Sequence, residues 1–207
     1  PVTAAAGLDS DNSTFMVSWV ETDTLDSNRL MLARVNLQLF SVPPVVIVDT
    51  LAQLVRERSG LKFATPALSG NGEGDVSLVW SELDGGLDQL FGVMFNSSAM
   101  TFPPVLRLTS SEQGFGAPAS NPSLFTSRDG SFALVWQDSS RGDPDIRFQR
   151  FTSSGQVEMP LYLSPGSGKG DNRAVSFLGL PGGGYEMFWE HDWQNSLQIF
   201  KASFDNA

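Results

Sequence analysis

The sequence predicts an all-β fold of about four four-stranded blades, forming a β-propeller or part of one. Three observations carry this. Trp19, Trp80, Trp136 and Trp189 recur 61, 56 and 53 residues apart, a drift that loop length accounts for. Each sits in a short apolar run, followed by a polar loop and a second apolar run, the signature of a hairpin. The 20 Gly and 12 Pro, with abundant Ser and Asn, punctuate the chain at intervals too short for helices.

Taken in order, the tryptophan segments read FMVSWVETDTLDSNRLMLARVNLQ, VSLVWSELDGGLDQLFGVMFNSS, FALVWQDSSRGDPDIRFQRFTSSG and YEMFWEHDWQNSLQIFKASFDNA. Before each lies an apolar run ending in a Gly- or Asp-rich turn: Val2 to Leu8, Thr65 to Leu68, Pro122 to Phe125 and Ala174 to Leu180. A fourth strand follows at Val45 to Val48, Val105 to Leu108 and Leu161 to Leu163. Residues 1–207 are therefore expected to form one tandem-blade domain, with repeats at about 1–60, 61–110, 117–165 and 172–207. The last blade is one strand short, so the chain is expected to be a fragment completed by a missing segment, the alternatives being completion by another chain or an open array of blades. The runs VSLVW and FALVW are apolar on both faces, as a strand covered from both sides requires. Arg147-Phe-Gln-Arg150 alternates, which predicts an outer strand with one wet face.

With 41% apolar and 17% charged residues, the chain is predicted to fold rather than stay disordered. A net charge of −10 and a pI near 4.4 argue against nucleic acid or an anionic membrane surface as partner. No apolar run approaches the ~20 residues of a membrane-spanning helix. Without cysteine there is no thiolate metal site, disulfide or cysteine nucleophile. The chain begins at Pro1, which suggests a processed product or an internal fragment.

Trp136-Gln-Asp138, then Asp145-Ile146-x-x-Gln149-Arg150-Phe151 and Gly155, resembles a tandem repeat of large exported bacterial proteins, W-x-D, a polar loop, D-I-x-x-Q-R-F and a Gly turn. The resemblance thins to Trp80-x-Glu82 with Asp88, to Trp19-x-Glu21, and to Trp189-Glu190 with Ile199-Phe200. It implies a propeller, secretion or cell-surface display, and an accessory binding role without a catalytic residue set. Ser127-x-Asp129-Gly130 resembles the opening of a sialidase Asp-box, although the remaining spacing departs. Arg147 and Glu158 are similar to part of the sugar site of fucose-lectin propellers, without repetition in the second and fourth copies.

The loops after the tryptophans are acidic. Asp138, Asp143, Asp145, Glu82, Asp84 and Asp88 are candidate oxygen ligands for calcium, which takes six to eight oxygens. The competing reading is that these are solvated turn-formers. Trp193, outside the tryptophan register, is the candidate exposed sugar platform, with His191 and Arg147 as further ligand-binding candidates. His191 is the single histidine, and no nucleophile elbow accompanies it, so a turn residue is the competing reading. Arg141-Gly142-Asp143 matches an adhesive tripeptide and Asn96-Ser97-Ser98 a glycosylation sequon, both short enough to arise by chance.

These features predict a non-catalytic, extracellular binding module for carbohydrate or another protein. The alternatives are a sialidase-like propeller glycoside hydrolase, which needs paired carboxylates in one pocket, and a structural subunit completed by another chain.

Overall fold

The computed structural model describes residues 2–6, 14–22, 27–38, 45–48, 53–59, 66–98, 101–109, 118–139, 142–152, 161–163, 171–180, 184–193 and 196–204. These form sixteen strands and no helix.

The first blade contains β1 (Val2–Ala6), β2 (Thr14–Thr22), β3 (Ser27–Gln38), β4 (Val45–Val48) and β5 (Gln53–Ser59). Both β4 and β5 pair antiparallel with β3, at Val35–Gln38 and Ser27–Leu32 respectively, so the outer edge is split between two strands. The second blade is β6 (Ala67–Gly70), β7 (Asp75–Asp84), β8 (Leu87–Asn96) and β9 (Leu106–Arg107). The third is β10 (Ala119–Thr126), β11 (Phe132–Asp138), β12 (Asp145–Phe151) and β13 (Leu161–Tyr162). The fourth is β14 (Asp171–Gly179), β15 (Tyr185–Trp193) and β16 (Ser196–Phe204), three strands among the described residues.

The expected tryptophan hairpins and four sheets are present. The strand β5, with its charged stretch Arg56-Glu57-Arg58, is a fifth strand beyond the four expected in this blade. It exists because β3 runs twelve residues and leaves an edge that β4 covers only at one end. The half-wet outer strand expected at Arg147 to Arg150 is also corrected. Arg147 and Gln149 are 3% and 1% exposed, so the alternation marks two buried faces, one of them polar.

The first strands of successive blades lie side by side, β1 against β6, β6 against β10 and β10 against β14. Every tryptophan strand is the second of its blade, and in the second, third and fourth blades the indole packs against the preceding blade. Trp80 joins Met16, Leu30 and Leu32 of the first blade in one core. Trp136 joins Val79, Leu90 and Leu108 of the second. Trp189 joins Val135, Ile146 and Phe148 of the third. Each blade thus has a leading face with the tryptophan and a trailing face that receives the next one.

On leading faces, Val76, Leu78 and Trp80, then Phe132, Leu134 and Trp136, then Tyr185, Met187 and Trp189 are at most 4% exposed. Burying each such side chain contributes roughly 1.5–3 kcal/mol, so these interfaces hold the arc together. Their equivalents on the first blade, Phe15, Val17 and Trp19, are only partly buried. Among the described residues, the strands of the fourth blade do not pack against those of the first.

Hydrogen bonds fix the blade order as well. Thr126 N–H donates to Ser69 Oγ at 2.9 Å and Thr126 Oγ1 donates to the Ser69 carbonyl at 3.1 Å. Close packing reaches its limit where Gly179 meets Phe125, since a Cβ there would stand 2.1 Å from the ring. Only glycine lets β14 approach β10 this closely.

Candidate functional site

The acidic position two residues after the tryptophan recurs for a structural reason. On an extended strand, residues i and i+2 share a face, so an acid at this position lies beside the indole N–H. In the second blade Trp80 Nε1 donates to Glu82 Oε2 at 3.2 Å. Arg56 of the first blade grips the same carboxylate through Nε at 3.1 Å and Nη2 at 3.0 Å. Glu82 is fully buried and is a staple between two blades.

In the third blade Asp138 is also fully buried, and Arg147 Nε lies 3.1 Å from its Oδ2. Arg147 sits directly across from Trp136 in the ladder, and Asp145 across from Asp138. Asp145 and Arg147 therefore fold their charges inward, and the Asp138–Arg147 pair ties β11 to β12.

The fourth blade has His191 at this position, and an asparagine replaces the ionic partner. Asn172 Oδ1 accepts from Trp189 Nε1 at 3.1 Å and from His191 Nδ1 at 2.9 Å. An amide oxygen only accepts, so His191 carries its proton on Nδ1. Asn172 Nδ2 donates to the Pro144 carbonyl at 3.1 Å, and Gln137 Nε2 donates to the Asn172 carbonyl, which link the third and fourth blades. His191 is 8% exposed and lies in strand β15, not in a turn.

The candidate residues are thus distributed as follows. Arg147 and His191 are inside the protein, each engaged with neighbours. The backbone of Trp193 pairs with Ser196, and its side chain lies outside the described residues, as do Arg141 and Glu158. Glu82 and Asp84 lie on β7 just before a tight Gly85-Gly86 turn, whose positive φ values of 62° and 85° favour glycine. Asp84 pairs with Arg107 at 3.1 Å, and Asp88 opposes Leu83 on β8. Asp143 is partly buried at the start of the third hairpin's second arm. Among the described residues, no three His, Cys, Asp or Glu side chains gather closely enough to hold a metal ion.

Polar groups from two blades converge elsewhere, at the end of the molecule carrying the turns that lead into β7 and β11. An open cavity of about 250 Å³ lies there between the second and third blades. Asp75, Ser77, Asn96 and Asp129 supply its polar lining, and Val76, Met94 and Phe95 its apolar wall. Asn71 shapes the turn: its Oδ1 accepts from the Glu73 and Asp75 amides at 2.8 and 3.1 Å. Its Nδ2 donates to Asp75 Oδ2 at 2.9 Å, and Asn96 Nδ2 donates to Asp75 Oδ1 at 3.3 Å.

Asp129 is anchored by Ser131, whose hydroxyl donates to Oδ1 at 2.6 Å and whose amide donates at 2.9 Å. These bonds, with Arg150 adding a smaller attraction, hold its carboxyl below the ordinary value of 3.8. Of these lining residues, sequence inspection singled out Asp129, through the Ser127-x-Asp129-Gly130 turn, and Asn96, through its sequon. Asp75 and Ser77 carried no signal, because the cavity forms only when the third blade packs on the second.

No family model matches this chain, and no curated protein matches it. Among solved structures it is similar to a protein of unknown function from Dyadobacter fermentans, with a TM-score of 0.61 and 11% identity over 98% of this chain. This chain spans 64% of that protein's length. It is also similar to an endo-arabinase from Bacteroides thetaiotaomicron, with a TM-score of 0.55 and 15% identity, covering 97% of this chain and 74% of that one. The arabinase is a propeller, and the four small antiparallel sheets of this chain share that architecture. At such identity the likeness shows the fold alone.

Proposed function

We propose that this chain is a non-catalytic binding module that takes a hydroxyl-rich ligand, a carbohydrate or a polar protein loop, in the cavity between its second and third blades. The observation that carries the reading is the state of the acids there. Asp75 accepts from two amide side chains and Asp129 from a hydroxyl and a backbone N–H. Both are held as fixed acceptors. An ionised, pre-oriented carboxylate beside an amide and an apolar wall suits hydroxyl recognition. Glycoside hydrolysis needs one carboxylic acid kept protonated by a raised pKa, a role that Asp129, shifted downward by Ser131, does not fit. The repeat resemblance supports placing the module on an exported or surface protein.

A second reading, hydrolysis of an arabinan-like chain, is favoured by the structural likeness to the endo-arabinase. One experiment separates the two. The 207-residue chain is titrated calorimetrically with neutral oligosaccharides, arabino-oligosaccharides included, with and without calcium, and the same mixtures are assayed for new reducing ends. Binding without cleavage is expected, weakened about tenfold in Asp129→Asn, the loss of roughly one charge-assisted hydrogen bond. Release of reducing ends would overturn the binding reading, and silence across the whole panel would sink its carbohydrate version.

A further inference from the structure

We propose that the leading face of the first blade and the trailing face of the fourth are two halves of one interface, and that a second copy of this chain joins them head to tail. The three interfaces inside the chain supply the template. In each, the residue opposite the position after the tryptophan is an aliphatic on the trailing face that the following blade covers. Leu30, Leu90 and Ile146 fill this place and are completely buried. The fourth-blade equivalent is Ile199, opposite Glu190, and it is 67% exposed. Leu197 and Leu178 on the same face are 60% and 45% exposed. Half of the six large hydrophobics exposed among the described residues therefore lie on this one face, a concentration that marks an interaction surface.

The complementary half is the first blade's Phe15, Val17 and Trp19, which stand where the other three blades bury their tryptophan strand. A second copy is the occupant that matches both halves, since it brings a tryptophan face to Ile199 and an aliphatic face to Trp19. The charges on the trailing face are largely neutralised: Lys201 pairs with Glu186 and lies over the Phe188 ring, and Arg173 pairs with Asp192, which leaves Glu190, opposite Ile199, as a further acid that the contact takes in among the described residues. The contact is heterologous, with different patches meeting, so two copies either close into one ring or propagate.

The test is light scattering with sedimentation on the 207-residue chain and on two variants, Ile199→Glu and Val17→Lys, each checked for an unchanged circular dichroism spectrum. Ile199 is exposed, so its variant leaves the fold intact even where the Val17 variant loses stability. The wild type is expected at about 45 kDa or above, twice the 22.4 kDa of one chain, and each variant alone at one-chain mass. Mixing the two variants leaves one intact pair of faces and is expected to restore a one-to-one dimer that grows no further. A wild type that stays at one-chain mass across micromolar concentrations overturns the proposal. So does a multimer that Ile199→Glu leaves unchanged.

Discussion

The second and third blades place an acid at the same point, two residues after the tryptophan, and use it differently. Glu82 reaches out of its sheet to Arg56 of the first blade, whose side chain is 24% exposed, while Asp138 stays inside its own sheet with Arg147, whose side chain is 4% exposed. Side-chain length and partner position decide this. Arg147 projects from the neighbouring strand across from Trp136, within reach of the shorter aspartate. At that ladder position the second blade has Phe91, so its acid finds a cation in another blade. One sequence position therefore secures a hairpin in one blade and a blade interface in the next.

Removing the acids should separate these roles. Asp138→Ala leaves Arg147 charged and enclosed with no route to water, the situation in which breaking a buried pair costs about 3–5 kcal/mol. Chemical denaturation should show a loss of this size, and Asp138→Asn should recover only part of it. An equal loss for an Asp138→Ala/Arg147→Leu double variant would break the ion-pair explanation, because an apolar replacement of the whole pair is often neutral or better.

Glu82→Ala should cost less, about 2–3 kcal/mol. Arg56 can turn its guanidinium to solvent, which leaves the unpartnered Trp80 indole N–H and a small cavity as the main penalties. Because Arg56 belongs to β5, the variant should also raise amide exchange along β5 while leaving β8 protected. Uniform exchange through both strands would mean that Glu82 supports its own blade only, and the contrast with Asp138 would disappear.

The fold was readable because each tryptophan strand must be apolar on both faces to lie between two blades, a constraint written locally in VSLVW and FALVW. The acids were readable as a recurrence but not as a role. A run of carboxylates after each tryptophan suggests a cation from outside. The cation that answers Glu82 is Arg56, on a fifth strand that the four-strand repeat did not anticipate, and the one that answers Asp138 is Arg147, read as a sugar contact. His191 misled in the same way: its partner Asn172 carries no local signal, and only the pairing of β14 with β15 brings the two together. Local periodicity encodes strands and faces, whereas pairings across a ladder or between blades appear only once the register is set.

The smallest effect concerns Asp129, an acid that faces solvent and has a hydroxyl and an amide for partners, unlike the two enclosed acids. Ser131 chiefly lowers its pKa in the folded protein. The folded state therefore favours the ionised form, and the associated stability is present above the unfolded value of 3.8 and is lost as pH falls through the lower folded value. Asp129→Asn should have a slightly lower melting temperature than the wild type near neutral pH. The gap should close as pH drops from about 6 to about 2, where both side chains are uncharged. Because the group is largely solvated, salt should shrink the Arg150 part of this gap and leave the Ser131 part in place. A gap that widens toward acid would mean that Asp129 is protonated more readily in the folded protein than in the unfolded one, and would fit it to the role of a general acid.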